Sequence, residues 1–202
     1  MKNPMTLAGK TIDLPLDRND YWRNRAHHDL YRITVAMAQG MFSDAKSAID
    51  VGCYTSGIMV ELDWIEKRVA SDISSYLASS WEHVQGVDFV PGNAFELDFG
   101  QKFDLVLSNQ TIEHVEDPKG FVEKLLSIGR GLIISTTYEV AAGVIDGHIQ
   151  DPISLEKFQS WFPCDLDAWF ICHHPTARHI RHICGIVKQS HPARQKAPAP
   201  AT

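Results

Sequence analysis

Residues 48–57 read AIDVGCYTSG, and this stretch carries a strong indication of the chain's architecture. The apolar run over 47–52 ends in an acid and a glycine, Asp50 and Gly52, which is typical of a buried parallel strand followed by a tight turn. Beyond the turn, apolar residues recur at helical spacing over 56–66. We therefore predict a strand–turn–helix unit, which is the repeating unit of an α/β sheet.

The same alternation continues along the chain. Further strands are predicted over 67–73, 86–90, 103–108 and 131–137, and helices over 74–85 and 118–128. After residue 138 the pattern loosens and predicts a helix over 155–162 and closing strands over 169–173 and 182–187, with an antiparallel edge as one option. Strands that alternate with helices at this spacing predict a doubly wound, Rossmann-like α/β sheet.

The two ends of the chain differ from this pattern. Residues 1–19 carry two prolines and no clear period, so we predict an irregular lead-in. Over 20–42 apolar residues recur at intervals of three and four, which predicts a helix with Asp20 as its N-cap. Residues 190–202 are rich in proline and alanine and are predicted to be disordered. We therefore predict one domain over 20–189.

The composition is that of an ordinary globular protein, with 202 residues, 44% hydrophobic and 22% charged. It excludes collagen-like, coiled-coil and wholly disordered chains. No apolar run approaches the roughly 18 residues that span a bilayer, and the N-terminus lacks the apolar segment of a signal peptide. A cytoplasmic location with four free cysteines is therefore expected. The net charge of −6 argues against nucleic acid as a partner.

Residues that follow the predicted strands are candidates for ligand binding, because open α/β sheets bind ligands outside the carboxyl ends of their strands. Gly52 lets the backbone approach a ligand closely, and Asp72 could accept hydrogen bonds from both hydroxyls of a ribose. Asp50 would repel a pyrophosphate but suit a positively charged cofactor. These features favour S-adenosylmethionine. A dinucleotide oxidoreductase is the weaker alternative, since the loop matches G-x-G-x-x-G only at Gly52 and Gly57.

The chain resembles the class I S-adenosylmethionine-dependent methyltransferases through ordered segments: AIDVGCYTSG, KRVASDIS, VPGNAFEL, FDLVLSNQTIEHVEDP and GLIISTTYE. The resemblance covers about 47–138 and is greatest with the small-molecule, type 11/12-like branch that includes ubiquinone-biosynthesis enzymes. It implies a seven-stranded sheet of order 3-2-1-4-5-7-6 with an antiparallel edge strand. It also implies a cofactor-binding half over 47–138 and a substrate side with the closing strands over 139–189.

By position, the resemblance implies a cofactor site made of Asp50, Gly52, Cys53, Tyr54, Asp72, Ile73, Asn93, Ala94, Asn109 and Gln110. Asp50 and the loop after it would lie against the methionine end. Asp72 would hold the ribose hydroxyls, with Ile73 against the adenine. Asn93 would replace the family's usual acid at the adenine amino group, and the last two residues would close over the transferable methyl.

The implied reaction is methyl transfer to an oxygen or nitrogen of a small molecule or of a sugar- or lipid-linked metabolite. His114, just after the fourth strand, is a candidate base for a hydroxyl nucleophile, with organisation of its loop as the alternative role. His148 lies where the family builds its substrate pocket and is the second catalytic candidate. The cysteines and histidines of 164–184 do not have the spacing of a zinc module, so no metal is predicted.

One departure from the family pattern lies in the glycine loop, where Tyr54 and Ser56 stand in place of two glycines. A tyrosine here must point away from the cofactor or partly fill its site. This departure motivates the alternative hypothesis of a catalytically degenerate methyltransferase fold that acts as a binding or regulatory partner. The short segment after Tyr138 leaves little room for a large cap. A homo-oligomer whose second subunit completes the pocket is therefore one option.

Overall fold

The computed structural model describes residues 3–7, 10–14 and 21–188 of the chain. Strands β1 (Asn3–Leu7) and β2 (Lys10–Leu14) pair antiparallel in a small separate sheet. The prediction of an irregular lead-in over 1–19 is wrong for these two segments. Each run contains β-branched residues, Thr6 in the first and Thr11 in the second, which favour extended backbone even without a period-2 pattern.

The main sheet has seven strands: β3 (Ser47–Val51), β4 (Lys67–Asp72), β5 (Asp88–Pro91), β6 (Leu105–Asn109), β7 (Gly131–Tyr138), β8 (Ala168–His173) and β9 (Arg181–Lys188). Their spatial order is β5-β4-β3-β6-β7-β9-β8. Counted along the chain within this sheet, the order is 3-2-1-4-5-7-6, as predicted. The pairs from β5 to β7 are parallel, whereas β9 runs antiparallel to both β7 and β8. The antiparallel strand thus lies one place in from the edge.

Besides the helical residues 21–23, the described chain contains the α-helices α1 (Asp29–Met41), α2 (Ile58–Glu61), α3 (Ala78–Trp81), α4 (Pro118–Ile128) and α5 (Leu155–Ser160). Helix α4 has the predicted bounds. Its proline is the first helical residue, and the Asp117 side chain caps it by accepting a hydrogen bond from the N–H of Gly120. Both signals are local, which is why the sequence locates this helix correctly.

Three predicted helices are shorter in the structure. The helix predicted over 20–42 is interrupted: residues 21–23 are helical, a turn occupies 24–27, and α1 begins at Asp29. The proposed cap Asp20 lies outside the described residues, as does the tail over 190–202. Helices α2 and α3 are single turns, where 56–66 and 74–85 were predicted. In both ranges, some of the buried apolar residues lie in turns and not in helices. Their helical spacing therefore predicts helices that are too long.

Each central strand serves two hydrophobic cores, because successive side chains point to opposite faces of the sheet. Leu105 and Leu107 pack with residues of α1, α2 and α3, whereas Val106 packs with residues of α4 and α5. The two cores hold the strands between them. The loops at the carboxyl ends of the strands are therefore mounted on a rigid support.

All four cysteines are free, as expected, and three of them are buried. Cys172 and Cys184 belong to the core that contains α1, where they pack as small hydrophobic side chains. Within the described ranges, none of the helices combines the length and the apolar character that crossing a bilayer requires.

Candidate active site

A cavity of about 810 Å³ opens at the carboxyl ends of the parallel strands β3 to β6. Eight of the residues singled out in the sequence line it: Gly52, Tyr54, Asp72, Ile73, Asn93, Ala94, Gln110 and His114. This is the edge at which open α/β sheets bind their ligands. The topology therefore brings residues of four separate loops to one site.

Four predicted site residues lie outside the lining of this cavity. Asp50 and Cys53 are buried beneath the loop that follows β3. Asn109 is buried as well, and its Oδ1 accepts a hydrogen bond of 2.9 Å from the hydroxyl of Ser135. The predicted direct contact of these residues with a cofactor has no support from the cavity lining. The side chain of His148 is 6% exposed and lies beside His114, with 4.8 Å between the ring centroids.

The loop after β3 is held in place from both sides. The N–H groups of Gly52 and Cys53 donate to the carbonyl of Ser71 on β4, at 2.8 and 3.1 Å. Gly52 has a φ of +79°, and a Cβ there would lie 2.3 Å from Oγ1 of Thr111. Gly52 is thus required both by its left-handed backbone and by the close approach of the loop after β6.

Asp72 ends β4 and connects two loops of the cavity wall. Its Oδ2 accepts a 2.9 Å hydrogen bond from the N–H of Tyr54, and its Oδ1 accepts one of the same length from Ser74. The residue therefore stabilises a turn. Each carboxylate oxygen retains a further lone pair for a donor in the cavity, so the two roles are compatible.

Tyr54 forms a wall of the cavity and leaves it open. Its φ is +43°, its carbonyl accepts a 2.8 Å hydrogen bond from Nε1 of Trp81, and its ring packs edge-on against Tyr21 at 4.8 Å. The cavity of about 810 Å³ persists beside it. A tyrosine in a glycine position motivated the hypothesis of a degenerate site. The structure accommodates this tyrosine in the wall of the cavity.

An apolar wall lies beyond Asp72. The side chain of Ile73 is exposed and lines the cavity, and so does that of Phe95, whose ring packs against Phe121 at 5.9 Å. Asn93 Oδ1 accepts a hydrogen bond from the N–H of Phe95 at 3.1 Å, while Nδ2 donates to Glu96. The exposed apolar side chains offer a face for a planar base, and Asn93 can accept one more donor.

Several lining residues escape the sequence argument. They include Tyr21, Ser71, Phe95, Thr111 and Phe121. Phe95 and Thr111 lie within the loops that follow predicted strands, so their position in the chain was a usable signal. Tyr21 precedes the first strand of the main sheet and Phe121 belongs to a helix. Only the folded chain brings these two to the cavity.

Asp50 places a buried carboxyl group next to the site. The residue is 1% exposed, and among the described residues nothing donates a hydrogen bond to its Oδ1. Burial, with a smaller contribution from the negative charge of Asp72, raises the pKa of Asp50 to about 8. A positive charge placed in the adjoining cavity would favour its ionised form.

Because folding raises the pKa of Asp50, this residue makes the stability of the chain depend on pH. Between the ordinary value of 3.8 and the folded value of about 8, the folded state holds a proton that the unfolded state releases. The free energy of unfolding therefore falls as the pH rises through this range. We expect Asp50→Asn to make that decrease shallower and to stabilise the chain at pH 8.

Urea unfolding at several pH values measures the effect of this substitution. Asp88→Asn, at an exposed position at the start of β5, is the matched control. Identical slopes of unfolding free energy against pH in the wild type and Asp50→Asn would contradict the assignment of a buried, protonated Asp50.

A second polar group lies at the wall of the cavity behind His114. The Nδ1 of His114 lies 2.8 Å from the carbonyl of Gly147, and Nδ1 of His148 lies 2.8 Å from Oδ2 of Asp151. The fully buried Glu113 accepts a 3.0 Å hydrogen bond from the hydroxyl of Thr136. Burial raises the pKa of Glu113 to about 8. Both predicted catalytic histidines thus belong to one cluster, of which only His114 lines the cavity.

Comparisons with known proteins agree with this geometry. A family model described as a methyltransferase domain matches residues 49–130, fewer than half of the chain. The N-methyltransferase NodS from Bradyrhizobium japonicum WM9, solved with S-adenosyl-L-homocysteine, is similar with a TM-score of 0.64 and 11% identity, over 83% of this chain and 91% of that one. No curated protein sequence matches the chain at a significant level.

Two further solved structures have the same fold. Magnesium protoporphyrin IX methyltransferase from Synechocystis PCC 6803, solved with S-adenosylhomocysteine, has a TM-score of 0.59 and 13% identity, over 78% of this chain and 81% of that one. The [4+2]-cyclase SpnF has a TM-score of 0.59 and 13% identity, over 77% of this chain and 79% of that one. At identities this low, the structural similarity establishes the fold alone.

The strand order and the cavity at the carboxyl edge define a member of the Rossmann-like class I fold. Through the match to a methyltransferase domain over residues 49–130, the chain is similar to the class I S-adenosylmethionine-dependent methyltransferases. It is a methyltransferase enzyme, and its cofactor is S-adenosylmethionine.

Proposed function

We propose that this enzyme methylates an oxygen or nitrogen nucleophile of a small molecule. The observation that carries the proposal is the position of His114, which lines the same cavity as Asp72 and Gly52. Because one cavity of about 810 Å³ contains both groups, a cofactor and a small substrate would share it. The volume lies in the upper part of the range of ligand pockets, roughly 300–1,000 Å³.

The residues that line the cavity fit the parts of S-adenosylmethionine. Asp72 would accept hydrogen bonds from the ribose hydroxyls, and the side chains of Ile73 and Phe95 would face the adenine. The carboxylate of Asp50 would favour the positive charge of the methionine end from beneath the loop. When bound, the cofactor supplies a methyl carbon on a positively charged sulfur, which leaves as a neutral thioether. The protein therefore needs mainly to align the nucleophile.

His114 would accept the proton of an attacking hydroxyl. A backbone carbonyl can only accept a hydrogen bond, so Nδ1 of His114, at 2.8 Å from the carbonyl of Gly147, carries the hydrogen. In the neutral ring, Nε2 is then the nitrogen with a free lone pair. His148 lies behind this ring and would orient it through their edge-to-face contact.

Transfer of a labelled methyl group tests the proposal. The enzyme and methyl-labelled S-adenosylmethionine are incubated with a cell extract divided by ultrafiltration into small molecules and macromolecules. We expect label in the small-molecule fraction, and less of it with His114→Gln. His83→Gln, at an exposed position, is the matched control. Label confined to nucleic acid or protein would overturn the proposed substrate class.

A further inference from the structure

Glu113, His114 and His148 form a cluster of potential metal ligands at the cavity wall. One ligand atom of each residue lies within 4.8 Å of the ligand atoms of the other two. Glu113 and His114 come from the 3₁₀ turn that follows β6, and His148 comes from the segment between β7 and α5. The cluster is the meeting point of the two halves of the domain.

The hydrogen bonds around the two histidines leave the same nitrogen free on each ring. Nδ1 of His114 donates to a carbonyl, that of Gly147, and Nδ1 of His148 faces the carboxylate of Asp151, which is also an acceptor. With both Nδ1 atoms protonated, the neutral rings have their lone pairs on Nε2. Metal-binding histidines in proteins are oriented in this way, with the second nitrogen donating to a carbonyl or a carboxylate.

Glu113 supplies the charge that such a site needs. The side chain is fully buried, and its Oε2 accepts the hydrogen bond from Thr136. No described residue donates a hydrogen bond to Oε1, which lies 3.9 Å from Nε2 of His148. A buried carboxylate oxygen without a partner is costly unless a cation compensates it. This unpartnered atom points to a ligand independently of the two histidines.

We propose that Glu113, His114 and His148 bind a divalent first-row transition metal ion at the wall of the substrate cavity. Two imidazoles and one carboxylate suit manganese, iron, cobalt, nickel or zinc better than magnesium or calcium, which prefer oxygen ligands. Three protein ligands leave coordination positions open. Because His114 also lines the cavity, the open positions adjoin the substrate.

This inference rests on the proposed function and narrows its substrate to a hydroxyl compound. A divalent cation lowers the pKa of a hydroxyl that it binds, so an oxygen nucleophile gains from the site more than an amine does. With the ion bound, His114 is a ligand and no longer a base. The Cys/His segment over 164–184, where zinc was considered and rejected from the sequence, has no part in the site.

Cobalt is the probe for the test, because its visible spectrum reports nitrogen and oxygen ligands. The full chain is treated with a chelator, dialysed, and titrated with Co²⁺ by absorbance and calorimetry. We expect one Co²⁺ per chain, with affinity reduced roughly tenfold or more by Glu113→Gln and by His148→Gln. His83→Gln should bind Co²⁺ as the wild type does. Circular dichroism checks that each variant is folded.

Binding of S-adenosylhomocysteine to the same samples separates the two proposals. Neither Glu113 nor His148 lines the cavity, so we expect both variants to bind this ligand within about twofold of the wild type. A wild type that binds S-adenosylhomocysteine but no Co²⁺ would overturn the metal site alone. Co²⁺ binding that persists in the Glu113→Gln, His148→Gln double variant would also overturn it. Co²⁺ binding without S-adenosylhomocysteine binding would instead contradict the proposed function.

Discussion

Replacing Asp72 by alanine is expected to weaken the binding of S-adenosylhomocysteine by about 30-fold to 1,000-fold. The substitution removes a cavity-lining carboxylate that would accept two hydrogen bonds from the ribose, worth together roughly 2–4 kcal/mol. It also removes the acceptor for the N–H groups of Tyr54 and Ser74. Titration calorimetry measures the affinity directly. Asp88→Ala, at an exposed position on the neighbouring strand, should bind like the wild type.

A ligand without ribose hydroxyls distinguishes the contact from the effect on the loops. Adenosine should lose affinity in Asp72→Ala by the factor seen for S-adenosylhomocysteine, whereas 2′,3′-dideoxyadenosine should lose much less. Equal losses for the two nucleosides would mean that Asp72 acts only by holding the loops. An unchanged affinity for all ligands would show that it only caps the turn at Ser74.

The second large effect is expected for Gly52→Ala, which should destabilise the chain by about 2–4 kcal/mol and lower its Tm by roughly 5–15 °C. The new Cβ would lie 2.3 Å from Oγ1 and 2.4 Å from Cγ2 of Thr111, so one of the two loops must move. The left-handed φ of +79° adds a further cost for any residue with a side chain. Thermal and urea unfolding provide the measurement.

Two other variants show which of these costs dominates. Gly40→Ala is the matched control, because its site in α1 is exposed and a Cβ there would meet nothing within 4 Å. It should stabilise the chain by about 0.5–1 kcal/mol. Adding Thr111→Ala to Gly52→Ala should recover the part of the loss that comes from the clash and leave the backbone part. A single variant as stable as the wild type would contradict the tight approach of the two loops.

Much of the fold follows from local patterns. Every strand of the main sheet lies within two residues of its predicted bounds, because buried parallel strands read as short apolar runs between turns. Helix α4 is predicted to the residue, since its cap and its proline are adjacent in sequence. Helices α2 and α3 are overestimated, since residues such as Leu62 and Val84 are buried although they lie outside helices.

The predictions for the candidate site also divide into those that follow from position in the chain and those that depend on packing. Gly52 and Asp72 were identified because each follows a strand and the sheet brings strand ends together. Asp50 and Asn109 were placed against the cofactor by the resemblance, and both are buried beneath the cavity wall and do not line the cavity itself. Successive side chains at the end of a strand point in opposite directions, so of two neighbouring residues one can face the cavity and the other the core. The resemblance to a family could locate these positions in the chain but not their exposure.

The amino-acid sequence by itself determined the α/β alternation, the loops that meet at the carboxyl edge, and the acid and glycine that shape them, because each depends on neighbours in the chain. Only the tertiary structure decided that Tyr21 and Phe121 complete the cavity wall and that Tyr54 leaves the cavity open. It also decided that Glu113 and His114 meet His148, which lies more than thirty residues further along. Contacts over that separation depend on how the layers pack, and no local period records that packing.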